Sequence, residues 1–320
     1  MIRVAYFLLL LVLSQCSQRP PESTSWCAQS LRPEFSQFRE IPTRQSWFRV
    51  YEVGEGVYAI AEPFNYQEVI SYLIVGSEKN ILFDTGMGMG KISDFVRELS
   101  PLPVVVINSH THYDHIGGNN EFDTILAVDT TYTHTFSANG WTHEQVKQEV
   151  RSSAFCLEKL PTLDTASYSV KPYREKIKGY LAEGTTLSLG NRTLEVLRVP
   201  GHTPDCLALL ERGKGYLWTG DMYYEATIWL FFEGTDLNAY EKSIARFADH
   251  APFLTRIFPA HNKPTANPAH LVDLQNAFAK IRSGEVKGTE NKSSSHPEDQ
   301  RAITFQFEHF SFLIRRDQLK

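Results

Sequence analysis

The sequence predicts an α/β fold in which two β-sheets pack face to face with helices on their outer faces. Strand-like segments followed by helical periodicity occur twice along the chain. Five apolar runs end in a His or an Asp, which lines up polar side chains along one edge of a sandwich core. With 42% hydrophobic and 22% charged residues in 320, the composition is that of an ordinary globular chain. It excludes disorder, collagen-like repeats and coiled coil. A mean hydropathy of −0.29, with one conspicuous apolar run, excludes a polytopic membrane protein. The net charge of −5 argues against a nucleic-acid backbone as partner, since phosphate neutralisation needs a basic face. Four cysteines are too few for a disulfide scaffold or a thiolate zinc array.

At the N-terminus Arg3 precedes an apolar stretch over residues 4–13, well short of the roughly 20 residues needed to span a bilayer. Residues 1–15 read as a secretory signal peptide. Leu13-Ser14-Gln15-Cys16 resembles a bacterial lipobox. That implies a lipid on Cys16, although Gln15 stands where a small residue is usual. Ordinary signal-peptidase cleavage after Cys16 is the alternative. The expected location is the periplasm or cell envelope, with residues 16–44 as a tether and residues 18–25 its flexible polar part.

The body opens with a meander. Residues 48–53 form a strand, Gly54-Glu55-Gly56 the turn, and residues 57–60 the return strand. Residues 69–75 and 80–83 continue it. Residues 91–99 look helical, and 104–107 read as a fully apolar, buried strand. Residues 130–180 lack strand character. Within them, 141–160 carry Val146 and Val150 at i, i+4 and predict a helix, in an insertion that also holds Phe136, Trp141, Phe155 and Tyr168. Strands resume at 186–189, 193–199, 206–211 and 215–218. Two amphipathic helices follow, one through Leu237, Tyr240, Ile244 and Phe247, the other through Leu271, Leu274, Phe278 and Ile281. Asn267-Pro268 supplies a start for the second as N-cap and first helical residue, and Gly284 a stop. Residues 285–299 read as a polar, mobile segment, and 303–314 as a closing edge strand or small hairpin. One domain over residues 45–285, followed by a polar loop and closing strand over 286–320, accounts for the chain.

The chemistry sits where strands end. Residues 104–107 run into Asn108-Ser109-His110-Thr111-His112-Tyr113-Asp114-His115. His110 and His112, at alternate positions, can face one ion, while Asp114 and His115 can face a second. Imidazole with carboxylate suits Zn²⁺ and its first-row neighbours. Crowding so many groups that are costly to desolvate into one buried turn is unfavourable without a shared partner. Later runs end at His202 in Pro200-Gly201-His202-Thr203-Pro204, at Asp221 in Thr219-Gly220-Asp221, and at His261 in Pro259-Ala260-His261. An earlier one ends at Asp84 in Asp84-Thr85-Gly86. Asp84 is placed to accept a hydrogen bond from a ligand histidine.

The order Asp84, His110-x-His112-x-Asp114-His115, His202, Asp221, His261 resembles the metallo-β-lactamase fold hydrolases. The resemblance implies a four-layer αββα sandwich. It implies two Zn²⁺ ions (Fe or Mn as substitutes), one held by His110, His112 and His202, the other by Asp114, His115 and His261, with Asp221 bridging. An Asp at 221 is similar to the glyoxalase II, lactonase and thioesterase branches and unlike the true zinc β-lactamases. Cys206 falls inside a strand and reads as core. The RNA-processing branches would be longer and more basic. Glyoxalase II carries a C-terminal basic glutathione site with no clear counterpart here, and Arg315 and Arg316 stay unexplained.

Tyr224 lies three residues after Asp221, the spacing at which quorum-quenching lactonases place a Tyr beside the substrate carbonyl. The stretch from Tyr223 through Trp229, Phe231 and Phe232 resembles a branch that includes an acyl-CoA thioesterase. With Phe136 and Trp141 these residues are expected to line an apolar acyl pocket. The expected reaction is hydrolysis of an ester, thioester or lactone of a small apolar acyl substrate by a hydroxide shared between the ions. Asp114 would orient that nucleophile, and Tyr224 would donate to the oxyanion or leaving group. No nucleic acid is expected as partner, and contact with a membrane only through Cys16. Two other readings are a mononuclear iron persulfide dioxygenase and a non-catalytic, envelope-tethered binding protein. Metal analysis and chelator-sensitive hydrolysis separate them.

Overall fold

The computed structural model of the chain describes residues 26–29, 31–159, 163–290 and 301–319. The segment read as a signal peptide, the Cys16 motif and most of the polar segment before 300 lie outside these residues. Among the described residues no helix is long and apolar enough to cross a membrane.

Alternation of side chains along each strand builds the layers. The first sheet runs in sequence order: β1 (Arg39–Ile41), β2 (Arg49–Gly54), β3 (Val57–Ala61), β4 (Ile70–Val75), β5 (Asn80–Phe83), β6 (Val104–Ile107), β7 (Ile125–Ala127) and β8 (Ile177–Tyr180). Its first five strands are antiparallel and the rest parallel. The second sheet is built from β9 (Thr186–Ser188), β10 (Thr193–Arg198), β11 (Leu207–Glu211), β12 (Tyr216–Gly220) and, after β13 (Thr227–Leu230), β14 (Arg256–Pro259), in the order β14-β12-β11-β10-β9. Tyr72, Phe83 and Ile107 from the first sheet meet Val196, Leu209, Trp218 and Phe258 from the second in one buried layer. Their strand neighbours point the other way. Leu73, Leu82 and Val106 pack with Ile92, Phe95 and Val96 of the helix Ile92–Leu99. Ala208, Leu210, Leu217 and Ile257 pack under the helices Leu237–His250 and His270–Arg282. The layer order is therefore αββα, as expected.

Four sequence readings need revision. A third, four-stranded sheet is present among the described residues: β13 pairs with β17 (Ser311–Arg315), which pairs with β16 (Ala302–Gln306) and then β15 (Thr289–Glu290). The closing segment is thus a hairpin, with Phe305 directly opposite Phe312, and it shares the core under the last two helices. It belongs to the domain, and the polar stretch before it contributes β15. The tether reading stops too late as well. Phe35 is buried against Tyr51, β1 pairs with β2, Arg32 forms an ion pair with Glu68, and Cys27 is disulfide-bonded to Cys156. The helix expected over 141–160 is a single turn, His143–Val146, started by a Thr142–Gln145 capping box. Val146 and Val150 are buried through irregular turns instead. Finally, the last helix begins at His270, with Asn267 Oδ1 accepting from Ala269 N at 3.0 Å just ahead of it.

Candidate metal centre

Each expected ligand leaves the C-terminal end of a strand on a constrained turn. His110 and His112 follow β6, and Asp114 and His115 ride the one-turn helix Tyr113–Ile116. At Thr219 the register between β12 and β14 shifts, and the bulge turns Asp221 toward the histidines. Gly220, at φ 54°, is required there: a Cβ would lie 2.5 Å from Ser109 Cβ. Gly201 likewise precedes His202 at φ 149°, with a Cβ position 2.4 Å from Tyr240 Cα. Asp84 itself adopts φ 66°, a left-handed conformation costly for a residue with a side chain. That turn aims its carboxylate, which accepts from Ser109 N at 2.6 Å, from Ser109 Oγ at 2.9 Å, and meets His115 Nδ1 at 3.0 Å.

All seven side chains converge. Asp221 sits in the middle with its two oxygens facing different partners. Oδ2 is 4.0 Å from His110 Nε2 and 3.6 Å from His202 Nε2; Oδ1 is 3.2 Å from His115 Nε2 and 3.0 Å from His261 Nε2. His202 Nε2 lies 3.0 Å from His112 Nδ1. Asp114 Oδ2 is 3.7 Å from His115 Nε2 and 3.9 Å from His261 Nε2. Backbone carbonyls orient the outer ring nitrogens, Trp229 O meeting His202 Nδ1 and Gln67 O meeting His261 Nδ1, each at 2.7 Å.

The electrostatics divide the cluster. Burial, with neighbouring imidazoles, holds His110 and His112 well below the usual histidine range, and burial lowers His202 against the pull of Asp221. Burial also opposes charge on His115 and His261, yet Asp221 and the other carboxylates carry both upward. Asp221 resists its own burial through those two histidines and lies well below the carboxylate range. Burial raises Asp114. One side of the cluster is thus neutral imidazole, and the other pairs imidazole with carboxylate.

Does this donor set fit metal? His110 Nε2 is buried without a hydrogen-bond partner among the described residues, and His115 Nε2 and Asp221 Oδ1, though 3.2 Å apart, lack the alignment of a hydrogen bond. Three groups bring their donor atoms within 4.8 Å of one another: His110, His112, His202; His110, His115, Asp221; and Asp114, His115, His261. Orphaned buried donors in overlapping His/Asp triads are what cation binding would satisfy. A model of the metallo-beta-lactamase superfamily matches residues 68–282. The chain belongs to that superfamily. Its members bind metal ions, and the His/Asp groups for binding them are present in this superfamily member.

Similar proteins include acyl-coenzyme A thioesterase MBLAC2 of Gallus gallus, 24% identical over 238 residues, covering 67% of this chain and 80% of the relative. Hydroxyacylglutathione hydrolase of Gloeobacter violaceus is 27% identical over 190 residues, covering 57% and 60%. Among solved structures, a metallo-beta-lactamase family protein of Thermus thermophilus has a TM-score of 0.53 at 20% identity, covering 73% of this chain and 82% of that one. That likeness is one of fold.

A cavity of about 410 Å³ opens over the cluster. Its floor includes His112, Asp114, His202, Asp221 and His261, and its wall Trp141, Val146, Tyr224, Trp229, Phe231 and Phe232. Trp229, Phe231 and Phe232 line this cavity together, with Phe232 4.8 Å from the His112 ring. Phe136 stacks behind Trp141 at 4.1 Å instead of reaching the cavity. Tyr223 does not line it. As the neighbour of Tyr224 it points the opposite way, into the core near Phe310. The Tyr224 hydroxyl donates to Thr227 O at 2.7 Å while its ring packs 4.9 Å from His261. Its one proton is thus directed at that carbonyl and away from the cluster. Cys206 is buried and free, as expected of core.

The sequence reading missed Gln67, Gln145, Glu149, Arg301 and Arg315, all of which border the cavity. Arg315 was visible only as an unexplained cation. It donates to Asp317 at 2.7 Å, whereas Arg316 pairs with Glu290 at 2.6 Å.

Proposed function

We propose that this superfamily member hydrolyses an acyl thioester with an apolar acyl group at a centre holding two divalent ions, Zn²⁺ by its donor chemistry. The observation that carries the reading is Asp221, whose oxygens each face a different histidine pair beneath an aromatic cavity. His110, His112 and His202 would hold one ion, Asp114, His115 and His261 the other, and Asp221 both. Bound there, the ions would supply an acidified water, its pKa brought from ~15.7 toward ~7, and a Lewis acid for the carbonyl.

The chain's own residues do the rest. Asp84 fixes the ring of His115 through Nδ1. Asp114 Oδ2, on the cavity floor, orients the attacking water and takes its proton. Trp229, Phe231 and Phe232 stack on one another and keep water from the acyl chain. A thioester is favoured over an ester or lactone because relatives are named acyl-coenzyme A thioesterase. Arg301 and Arg315 on the rim suit a leaving thiol that carries negative charge. The Cys27–Cys156 disulfide supports the reading of an exported protein; a tether through Cys16 rests on the sequence resemblance alone.

A substrate panel on metal-quantified protein tests the reading. It holds the acyl group constant across coenzyme A, glutathione and uncharged N-acetylcysteamine thioesters, and adds lactones, esters, phosphodiesters and a β-lactam. Chelator-sensitive turnover fastest on the thioesters with charged thiols is expected. Preferential turnover of a phosphodiester or β-lactam contradicts the reading.

A further inference from the structure

Behind the His110/His112/His202 group lies a carboxylate that none of the chemistry above uses. Asp205 is 2% exposed. Three threonine hydroxyls converge on it: Thr203 Oγ1 donates to Oδ1 at 2.6 Å, Thr111 Oγ1 to Oδ2 at 2.8 Å, and Thr133 Oγ1 to Oδ2 at 3.2 Å. All three threonines are buried. Their positions give the arrangement its meaning. Thr111 sits between His110 and His112, on the loop after β6 of the first sheet. Thr203 follows His202, on the loop after β10 of the second. Thr133 belongs to the helix Thr131–Asn139, whose Tyr132 packs edge-on to His112 at 6.3 Å.

We propose that Asp205 is a positioning residue that ties the two loops carrying His110, His112 and His202 into one ligand set. The inference rests on the two-ion reading above. Two strand ends from different sheets have no covalent reason to keep their ligands in register. A carboxylate oxygen that accepts a hydroxyl proton fixes the direction of that hydroxyl. A shared acceptor buried between the loops therefore locks both threonine rotamers and, through them, the backbone on either side of the ligands. Leu207 N, donating to Ser109 O at 2.8 Å, adds one backbone tie between the same loops. Packing alone would be served by apolar side chains. A buried hydroxyl is costly without an acceptor; Thr133 Oγ1 also meets Thr130 Oγ1 at 3.0 Å and Thr203 Oγ1 meets Cys206 Sγ at 3.1 Å, and Asp205 is the partner that all three share. The His115/His261 side has its own support in Asp84 and Gln67, so loss of Asp205 should act on one ion and spare the other.

The test measures metal retention ion by ion. Wild type, Asp205→Ala, Asp205→Asn, Thr111→Val and Thr203→Val are loaded with Zn²⁺ or Co²⁺ and equilibrated against a graded chelator. Metal content, the Co²⁺ absorption spectrum, kcat and KM are then read. Asp205→Ala should weaken one ion by roughly 10- to 100-fold, the range for loss of a partner behind a metal ligand. The second ion should stay near its wild-type affinity, and kcat should fall more than KM rises. Asp205→Asn, which keeps one acceptor oxygen, should be intermediate, and each Thr→Val change smaller but in the same direction. Should Asp205→Ala fail to fold, the two threonine variants decide the matter. Wild-type affinity for both ions in the variants, or equal weakening of both, would overturn the role of Asp205 and leave the two-ion reading standing. A wild-type chain that takes up no metal would overturn both.

Discussion

At the strand ends, Asp84, Gln67 O and Trp229 O hold individual histidine rings by hydrogen bonds of 2.7 to 3.0 Å, and Asp221 lies between the two halves of the cluster. Across the cavity the wall is made differently. Trp141 stacks on Phe136 at 4.1 Å, and Phe231 on Phe232 at 4.6 Å, so the contact is mainly apolar, with Trp141 Nε1 donating to Thr111 O at 2.9 Å and the Tyr224 hydroxyl to Thr227 O at 2.7 Å as directed bonds. The cradle comes from two sheets and leaves little room for a change of chemistry. The wall comes from the insertion and the segment after Asp221, where a change of size is tolerated. Changes in the cradle should therefore remove metal and rate together, while changes in the wall should alter which acyl chain is accepted.

The largest effect expected is from Asp221→Ala. It should lower metal content and cut kcat by at least the ~100-fold reached when only a supporting partner is lost. Full metal loading with an unchanged rate would break the contrast between cradle and wall. Next come Phe231→Ala and Phe232→Ala. Losing an aromatic contact with the acyl chain is worth about 1.5–3 kcal/mol, so kcat/KM for a long-chain thioester should fall tenfold or more. Turnover of an acetyl thioester and metal content should stay close to wild type. An equal loss on short and long chains would place these residues in the cradle's function instead. Smallest is Tyr224→Phe. The hydroxyl's bond to Thr227 O contributes about 1 kcal/mol to stability. A lower unfolding temperature with kcat within about twofold of wild type is expected, and a 100-fold drop in kcat would instead support the oxyanion-donor role.

The same contrast explains what could be read from sequence. Asp84, His110, His112, Asp114, His115, His202, Asp221 and His261 were legible because they follow apolar runs, and strand periodicity with short turns fixes where such residues go. The insertion obeys no such pattern. Val146 and Val150 at i, i+4 suggest a long helix, but its hydrogen bonding gives way to turns after one capped turn. The helix that does form, Thr131–Asn139, is rich in threonine and aromatic residues with weak helix preference and shows no apolar stripe. It is fixed by the Thr130 cap and ended at Gly140 with φ 66°. Tyr223 and Tyr224 show another limit: consecutive residues face opposite sides, and composition does not say which faces the cavity. Nothing in the sequence singles out Asp205, because its partners, Thr111 and Thr133, are 94 and 72 positions away. Arg301 and Arg315 reach the rim only because the C-terminal hairpin joins β13.

Metal content of the purified wild-type chain tests the central claim most directly. It is measured alongside thioester hydrolysis before chelation, after chelation, and after Zn²⁺ is restored. Two divalent ions per chain, with activity lost on their removal and regained on their return, are expected. A single tightly held iron, or full hydrolysis by metal-free protein, would contradict it.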